Sequence, residues 1–140
     1  MWNGALARRL KIVTKTLSTY PPFSDLNTHC IYSADNYQTT FSGEIMNAGS
    51  TITIGDTFQG KLVHSNIIIW LKENAKAGIP LDDKSSLRRL RRVIAHEFGH
   101  MLGLHHQFSD DIESIMSYKG VEWITDYDYE VIARLYPLTF

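Results

Sequence analysis

Hydrophobic residues recur at helical spacing in three stretches of the chain. Steps of three and four residues between apolar positions predict an amphipathic helix over about residues 4–19, which Pro21 and Pro22 end. A second helix is predicted over about residues 86–102. Its candidate N-caps are Asp82, Asp83 and Ser85. A last helix, capped by Thr125 and Asp126, carries apolar Val131, Ile132 and Leu135 and ends before Pro137.

The pattern between Thr28 and Glu73 is typical of strands. Four short β-rich runs are separated by Asn, Gly and Ser, and they read HCIYSA, YQTTFSGEI, STITIGDTF and SNIIIWLKE. Residues 67–71 are apolar throughout, which predicts a strand that is covered on both faces. No repeat, low-complexity tract or linker interrupts the chain, so we expect a single domain over residues 1–140.

Composition narrows the class of protein. A chain of 140 residues with 44% hydrophobic residues is long enough to bury a core, and its net charge of −1 favours neither nucleic acid nor an anionic membrane as partner. Cys30 is the single cysteine, so no intrachain disulfide forms. No window is long and apolar enough to span a bilayer, and no signal peptide is evident. We expect a soluble protein of unknown compartment.

The segment HEFGHMLGLHH in the second helix carries candidate chemistry. Residues four apart on a helix lie on one face, so His96 and His100 can present imidazole nitrogens to one ion, with Glu97 beside them. On a continued helix His106 would point away from that ion. Gly103 permits left-handed backbone angles, so the chain can turn and bring His106 back as a third ligand. Three protein ligands and one open position are typical of a catalytic zinc site.

The full pattern H-E-x-x-H-x-x-G-x-x-H resembles the signature of the metzincin clan of zinc peptidases, and most of all its matrixin branch. The resemblance is specific over residues 93–136. It implies an α+β fold with a small, mixed and twisted sheet, an N-terminal helix and an active-site helix. An N-terminal subdomain over about residues 1–103 would precede a C-terminal subdomain over about 104–140, with a Met-turn and a terminal helix.

Three further residues match features of this clan. Met116, ten residues after the last histidine, matches the Met-turn and would pack as an apolar floor beneath the imidazoles. Tyr118 resembles the tyrosine with which astacins and serralysins ligate zinc and then stabilise the oxyanion. Asp128 falls where the terminal matrixin helix carries an acidic residue that supports the Met-turn region; an exposed carboxylate in the first helical turn is the alternative.

The resemblance implies a zinc-dependent endopeptidase that holds one catalytic Zn²⁺ through His96, His100 and His106. Glu97 would act as general base on a water that the zinc activates, and Tyr118 would assist. The pattern with which matrixins hold a second zinc and calcium is not found, so no calcium is expected. The family is mostly secreted, and we expect a monomer.

The substrate would be a protein or peptide bound in extended form along an edge strand, either SNIIIWLKE or STITIGDTF. Residues between Gln107 and Trp123 would contribute to the specificity pocket. Two alternatives stay open. The chain could be a catalytically silent, zinc-stabilised binding or inhibitory module, in which His105 closes the site as a fourth ligand. Glu113 could also replace His106 as third ligand in another clan of enzymes.

Other motifs have simpler explanations. Residues 55–61 spell G-x-x-x-x-G-K, but Leu62 replaces the hydroxyl residue and a strand follows, so nucleotide binding is not expected. The basic run over residues 88–92 is expected to be a solvated helix face near Asp82 and Asp83. We expect His29 and His64 to be surface or hydrogen-bonded histidines and Cys30 to be a small core residue.

Overall fold

The described part of the chain contains three strands and two helices. A computed structural model describes residues 28–34, 49–56, 61–70, 84–119 and 121–138. The predicted helix over about residues 4–19 and the strand YQTTFSGEI lie outside these ranges, as do the candidate caps Asp82 and Asp83.

The strands form one mixed sheet. They are β1 (Ile31–Ala34), β2 (Gly49–Asp56) and β3 (Lys61–Trp70), in the order β1-β3-β2. β1 runs parallel to β3, with Ile31 opposite Ile67, whereas β2 runs antiparallel to it, with Thr51 opposite Ile67. The β2–β3 register shifts between Ile54 and Gly55. β3 is therefore paired along both of its edges.

The burial of β3 confirms the prediction for its apolar run as far as residue 69, while the Trp70 side chain and residues 71–73 lie outside the described part of the chain. Ile67, Ile68 and Ile69 are all buried, although successive side chains of a strand point to opposite faces. Both faces of β3 are therefore covered in this stretch. The strand begins at Lys61, four residues before the predicted run SNIIIWLKE.

The expectation for His64 is wrong. Its side chain is only 2% exposed, and neither ring nitrogen has a hydrogen-bond partner among the residues that the structure describes. The earlier start of β3 is the reason, because it places His64 inside the central strand, where its ring stacks on that of His29 with centroids 5.2 Å apart. His29 is exposed and accepts a hydrogen bond from the Ser65 N–H at 3.0 Å, and Cys30 is a buried free thiol.

The two helices lie close to their predicted positions. α1 (Lys84–Met101) packs against β2 and β3, and α2 (Asp126–Leu135) is the last helix described. Ser85 already lies inside α1 and is not its N-cap, because the helix begins before it. Thr125 is the N-cap of α2, as predicted, and it forms a capping box with Asp128. Asp126, the other predicted cap, is instead the first residue of the helix.

A hydrophobic cluster fills the space between α1, the segment after it and α2. Its buried members are Ala95, Leu102, Leu104, Ile115, Met116 and Ile132. This core holds the C-terminal end of α1 against the following segment, where the candidate site lies. No helix in the described ranges has the length and hydrophobicity that a membrane crossing needs.

Candidate metal centre

The C-terminal end of α1 turns the chain sharply at a glycine. Gly103 has a φ of 90°, which side-chain-bearing residues rarely adopt. The Leu104 N–H donates to the Gly99 carbonyl and the Gly103 N–H to the His100 carbonyl, both at 2.9 Å. This pair of bonds is a Schellman motif, in which a left-handed residue ends the helix and reverses the chain. Tyr136 reinforces the end of α1, because its hydroxyl donates to the Leu102 carbonyl at 3.0 Å.

After this turn the chain passes back beside α1. The Gln107 N–H donates to the Met116 carbonyl at 3.1 Å, which joins the segment after the turn to the buried segment around Met116. His106, one residue earlier, reaches the histidines of α1. One ring nitrogen from each of His96, His100 and His106 lies within 4.8 Å of the other two.

Two backbone carbonyls determine the tautomers of the helical histidines. Nδ1 of His96 lies 2.8 Å from the Ile115 carbonyl, and Nδ1 of His100 lies 2.8 Å from the Leu104 carbonyl. A carbonyl oxygen only accepts, so each Nδ1 carries the proton. In a neutral imidazole the Nε2 atom then keeps a free lone pair. This arrangement is the one in which metal-binding histidines are usually held.

The donor set fits a zinc ion. Nε2 of His100 and Nε2 of His106 lie 3.0 Å apart. In a tetrahedral site with bonds of about 2.0–2.1 Å, ligand nitrogens lie about 3.3 Å from one another. The two rings therefore need to separate by only a few tenths of an ångström. Three neutral imidazoles that converge on one point fit a zinc site of the HExxHxxGxxH type.

A buried carboxylate supports the segment that carries Met116. The Asp128 side chain is 0% exposed, and it accepts from the Ser114 hydroxyl at 2.5 Å and from the Ile115 N–H at 3.0 Å. Ser114 in turn accepts from the Met116 N–H at 2.9 Å. Of the two interpretations of Asp128 left open by the sequence, the structure therefore agrees with support of this region rather than with an exposed carboxylate.

Aromatic side chains surround the exposed side of His106. The Tyr118 hydroxyl lies 3.2 Å from Nε2 of His106, and Tyr118 is 68% exposed. The ring of Phe108, which is also exposed, has its centroid 5.7 Å from that of His106. A molecule that reaches the histidines from solvent would meet these two rings.

Comparison with known proteins agrees with this geometry. The family model of the matrixins, a peptidase family, matches residues 18–137. The chain belongs to the matrixin family. Searches of curated proteins and of solved structures found no match. Membership indicates a zinc metallopeptidase, and the small α+β fold with its mixed three-stranded sheet agrees with a matrixin domain.

Burial keeps the histidines of this matrixin neutral. Desolvation lowers the pKa of His96 to about 4, although its bond to the Ile115 carbonyl acts in the opposite direction. Desolvation also lowers the pKa of His100 and of His106, with smaller effects from neighbouring histidines. Neutral imidazole is the form that binds a metal, so the site is prepared for a cation at neutral pH.

Glu97, the residue after His96 on α1, is buried and touches strand β2. Desolvation raises the pKa of its carboxyl group, and a hydrogen bond from the Thr51 hydroxyl opposes this effect. That hydroxyl lies 2.7 Å from Oε2 of Glu97. A raised pKa makes a carboxylate a better proton acceptor near neutral pH.

The expectation that the basic run over residues 88–92 is a solvated helix face is wrong at Arg92. Arg88, Arg89 and Arg91 are exposed, as a solvated helix face predicts. Arg92 instead donates from Nε to the Val121 carbonyl at 3.0 Å and from an Nη to the Ser117 carbonyl at 3.2 Å. It precedes His96 by one helical turn and lies on the same face of α1. Arg89, seven residues before His96, shares that face, so spacing in the sequence did not distinguish Arg92 from the other arginines.

The structure thus brings His96, His100, His106 and Tyr118 of this matrixin together, with Glu97 next to His96 on α1. His96, Glu97 and His100 come from α1, His106 and Tyr118 from the segments after it. His105 and Glu113 are exposed and are absent from the histidine cluster, which includes no fourth His, Cys, Asp or Glu among the described residues. The sequence did not indicate Thr51, since threonine is an ordinary strand residue and nothing near it suggests a contact with Glu97.

Proposed function

We propose that this chain is an active zinc-dependent endopeptidase, folded as one catalytic domain. The observation that carries the proposal is the pairing of two features. Three imidazoles each direct a ring nitrogen to one point, and the carboxylate of the residue next to His96 on α1 is buried and has a raised pKa. A purely structural zinc site needs no such carboxylate and more often has four protein ligands.

In this proposal His96, His100 and His106 hold one zinc ion through their Nε2 atoms. When bound, zinc supplies Lewis-acid chemistry, which lowers the pKa of water to near 7 and polarises a carbonyl group. Gly103 makes the third ligand reachable, and buried Met116 forms the Met-turn beneath the histidines. The carbonyls of Ile115 and Leu104 keep two of the three rings in the binding tautomer.

Glu97 is the proton carrier. Its carboxylate takes a proton from the attacking water and then delivers it to the nitrogen of the leaving amine. Such general acid–base catalysis is typically worth about 10²–10⁴-fold in rate. Tyr118 extends its hydroxyl to the edge of His106 from the solvent side, where it can donate a hydrogen bond to the developing oxyanion.

The sheet topology favours one of the two candidate substrate strands. β3, which contains SNIIIW, is paired with β1 on one edge and with β2 on the other. β2, which contains STITIGD, has only β3 as neighbour among the described strands, and it lies against Glu97. We infer that an extended peptide pairs its backbone with the edge of β2 that faces away from β3. The exposed rings of Phe108 and Trp123 fall within the predicted specificity region.

The test combines metal content with proteolysis. The purified protein is loaded with zinc, and cleavage of denatured casein and of a mixed peptide library is measured with and without a chelator. Glu97→Gln is the informative variant, because it preserves size while removing the base. Glu130→Gln is the matched control, since Glu130 is an exposed glutamate on α2.

We expect one zinc per chain in all three proteins. Cleavage should be equal in wild type and Glu130→Gln, lost with chelator, and lower by about 10²–10⁴-fold in Glu97→Gln. If zinc-loaded wild type cleaved none of the substrates faster than Glu97→Gln does, the proposal of an active enzyme would be refuted. That result would support the alternative of a zinc-stabilised binding module.

A further inference from the structure

Strand β2 approaches the active-site helix unusually closely at Gly49. A Cβ atom at this position would lie 2.9 Å from Cγ of Glu97 and 2.9 Å from Cγ1 of Val93. It would also lie 3.2 Å from Oε1 of Glu97. Such short distances require a neighbour to move, so glycine is needed here for the close approach of the strand. The backbone of β2 thus forms one wall around the Glu97 side chain.

Thr51, two residues along the same strand, makes a directed contact with the same glutamate. Its hydroxyl lies 2.7 Å from Oε2 and 2.9 Å from the backbone carbonyl of Glu97. Both acceptors belong to one residue. The hydroxyl has one hydrogen, which it gives to the carboxylate at the shorter distance or shares with the carbonyl. Either bond holds the Glu97 side chain against β2, and this restricts the rotamers that the side chain can adopt.

We propose that β2 is the element that positions the general base, with Thr51 as its positioning residue and Gly49 as the point of close approach. Thr51 occupies Oε2 and leaves Oε1 as the oxygen that carries the proton. This inference rests on the proposed peptidase function. It assigns a second role to the strand that we infer to bind substrate, because the same strand would align the peptide and the base.

Threonine suits this role better than other hydroxyl residues. Its β-branched side chain has few χ1 rotamers in a strand, so the hydroxyl is held in place before Glu97 meets it. Valine has the same shape without the hydroxyl, and serine keeps the hydroxyl with a less restricted χ1. Comparing these two substitutions separates the effect of losing the hydrogen bond from the effect of changed packing.

The experiment compares Thr51→Val, Thr51→Ser and a control with wild type. Ser65→Ala is the control, since it removes a buried hydroxyl from neighbouring β3 that lies 3.1 Å from Oγ1 of Thr53 rather than near Glu97. For each zinc-loaded protein, kcat and KM on one library-selected peptide are measured, together with zinc content and the melting temperature. Crystal structures of wild type and Thr51→Val show where the Glu97 carboxylate lies.

Thr51→Val should lower kcat by about 10- to 100-fold, with KM and zinc content unchanged, because displacement of a catalytic group by about 1 Å has effects of this size. Its crystal structure should show the Glu97 carboxylate displaced or in more than one rotamer. Thr51→Ser should recover most of kcat, and Ser65→Ala should keep the wild-type value.

The inference fails if Thr51→Val keeps kcat within twofold of wild type with the Glu97 carboxylate unmoved. It also fails if Thr51→Val and Thr51→Ser lose kcat equally, since packing would then be the cause. A wild type with no activity above Glu97→Gln would instead refute the proposed function. In that case the crystal structures still decide whether Thr51 holds the carboxylate.

Discussion

The two sides of the active-site helix support different parts of the site. On the side of α1 that faces the chain after residue 103, called here the C-terminal side, the carbonyls of Ile115 and Leu104 orient the rings of His96 and His100. On the sheet side, the Thr51 hydroxyl and the backbone at Gly49 surround Glu97. Backbone carbonyls therefore hold the two histidine rings. Glu97 is held by the Thr51 side chain and by the close approach of the β2 backbone at Gly49, which has no side chain.

This difference determines which substitutions disturb the histidines and which disturb Glu97. A substitution at residue 104 or 115 leaves the carbonyl in place, so the histidine bonds persist as long as the backbone keeps its path. The C-terminal side must be disturbed through a residue that fixes that path. Asp128 is such a residue, because the Ser114 hydroxyl and the backbone N–H groups of Ile115 and Thr125 all donate to its carboxylate.

Asp128→Asn is expected to have the largest effect. The amide offers one acceptor oxygen, so either the Ser114 hydroxyl or the N–H groups of Ile115 and Thr125 face an NH₂ group instead of an oxygen, and the remaining bonds lose their charged acceptor. Hydrogen bonds to charged groups are each worth about 1.5–3 kcal/mol, so we expect a loss of at least about 3 kcal/mol in unfolding free energy. Zinc affinity should fall by about 10–100-fold.

Asp126→Asn is the matched control for this prediction. Asp126 lies in the same first turn of α2 but is exposed. Urea unfolding of the zinc-free proteins and competition with a zinc-binding dye measure the two quantities. If both variants lost stability equally, the effect would come from the charge at the helix N-terminus rather than from support of the histidine side.

The second prediction concerns the zinc-free protein in acid. The pKa of His96 is about 4 when folded and about 6.5 when unfolded, so the unfolded chain binds more protons between these values. Stability should therefore fall as the pH falls from 6.5 to 4, by up to about 3 kcal/mol. Glu97 acts with the opposite sign, because burial raises its folded pKa.

His96→Gln isolates the contribution of the histidine. The variant lacks the titrating imidazole, so its unfolding free energy should fall less than that of wild type over the same pH window. Urea midpoints at pH 7 and near pH 4 measure the difference. Identical losses in the two proteins would show that His96 is not held neutral by the fold.

The same comparison explains how much the sequence could predict. The histidine side lies within one stretch of chain, where the turn at Gly103 and the cap at Thr125 follow from local backbone preferences. The predicted peptidase family is confirmed. It could be predicted because its motif lies in one contiguous segment. The contact between Thr51 and Glu97 depends on how β2 docks on α1, and no local pattern encodes a contact between residues 46 positions apart.

Arg92 provides the third prediction, of intermediate size. It joins α1 to the segment that carries Tyr118 through the carbonyls of Ser117 and Val121. Arg92→Met keeps most of the apolar stem and removes both donors, so we expect a loss of about 1–2 kcal/mol and a melting temperature lower by several degrees. Arg91→Met, at an exposed position of the same helix, should change neither by a measurable amount. Equal effects of the two variants would assign the loss to net charge.

Tyr118→Phe has the smallest expected effect and tests the solvent side of the histidine cluster. Tyr118 is exposed, and its hydroxyl lies 3.2 Å from Nε2 of His106, so its removal should leave stability and zinc content unchanged. If the hydroxyl donates to the oxyanion, kcat should fall by about 10-fold while KM is unchanged, which is less than the loss of a fully enclosed oxyanion donor.

Tyr129→Phe is the matched control, because this tyrosine is also exposed but lies on α2. If kcat fell in Tyr118→Phe but not in Tyr129→Phe, both sides of α1 would contribute to catalysis. Glu97 would act from the sheet side and Tyr118 from the C-terminal side. If instead KM rose and kcat stayed constant, the tyrosine would bind the peptide equally in ground state and transition state. Tyr118 would then not stabilise the oxyanion, and Glu97 would act without help from the tyrosine.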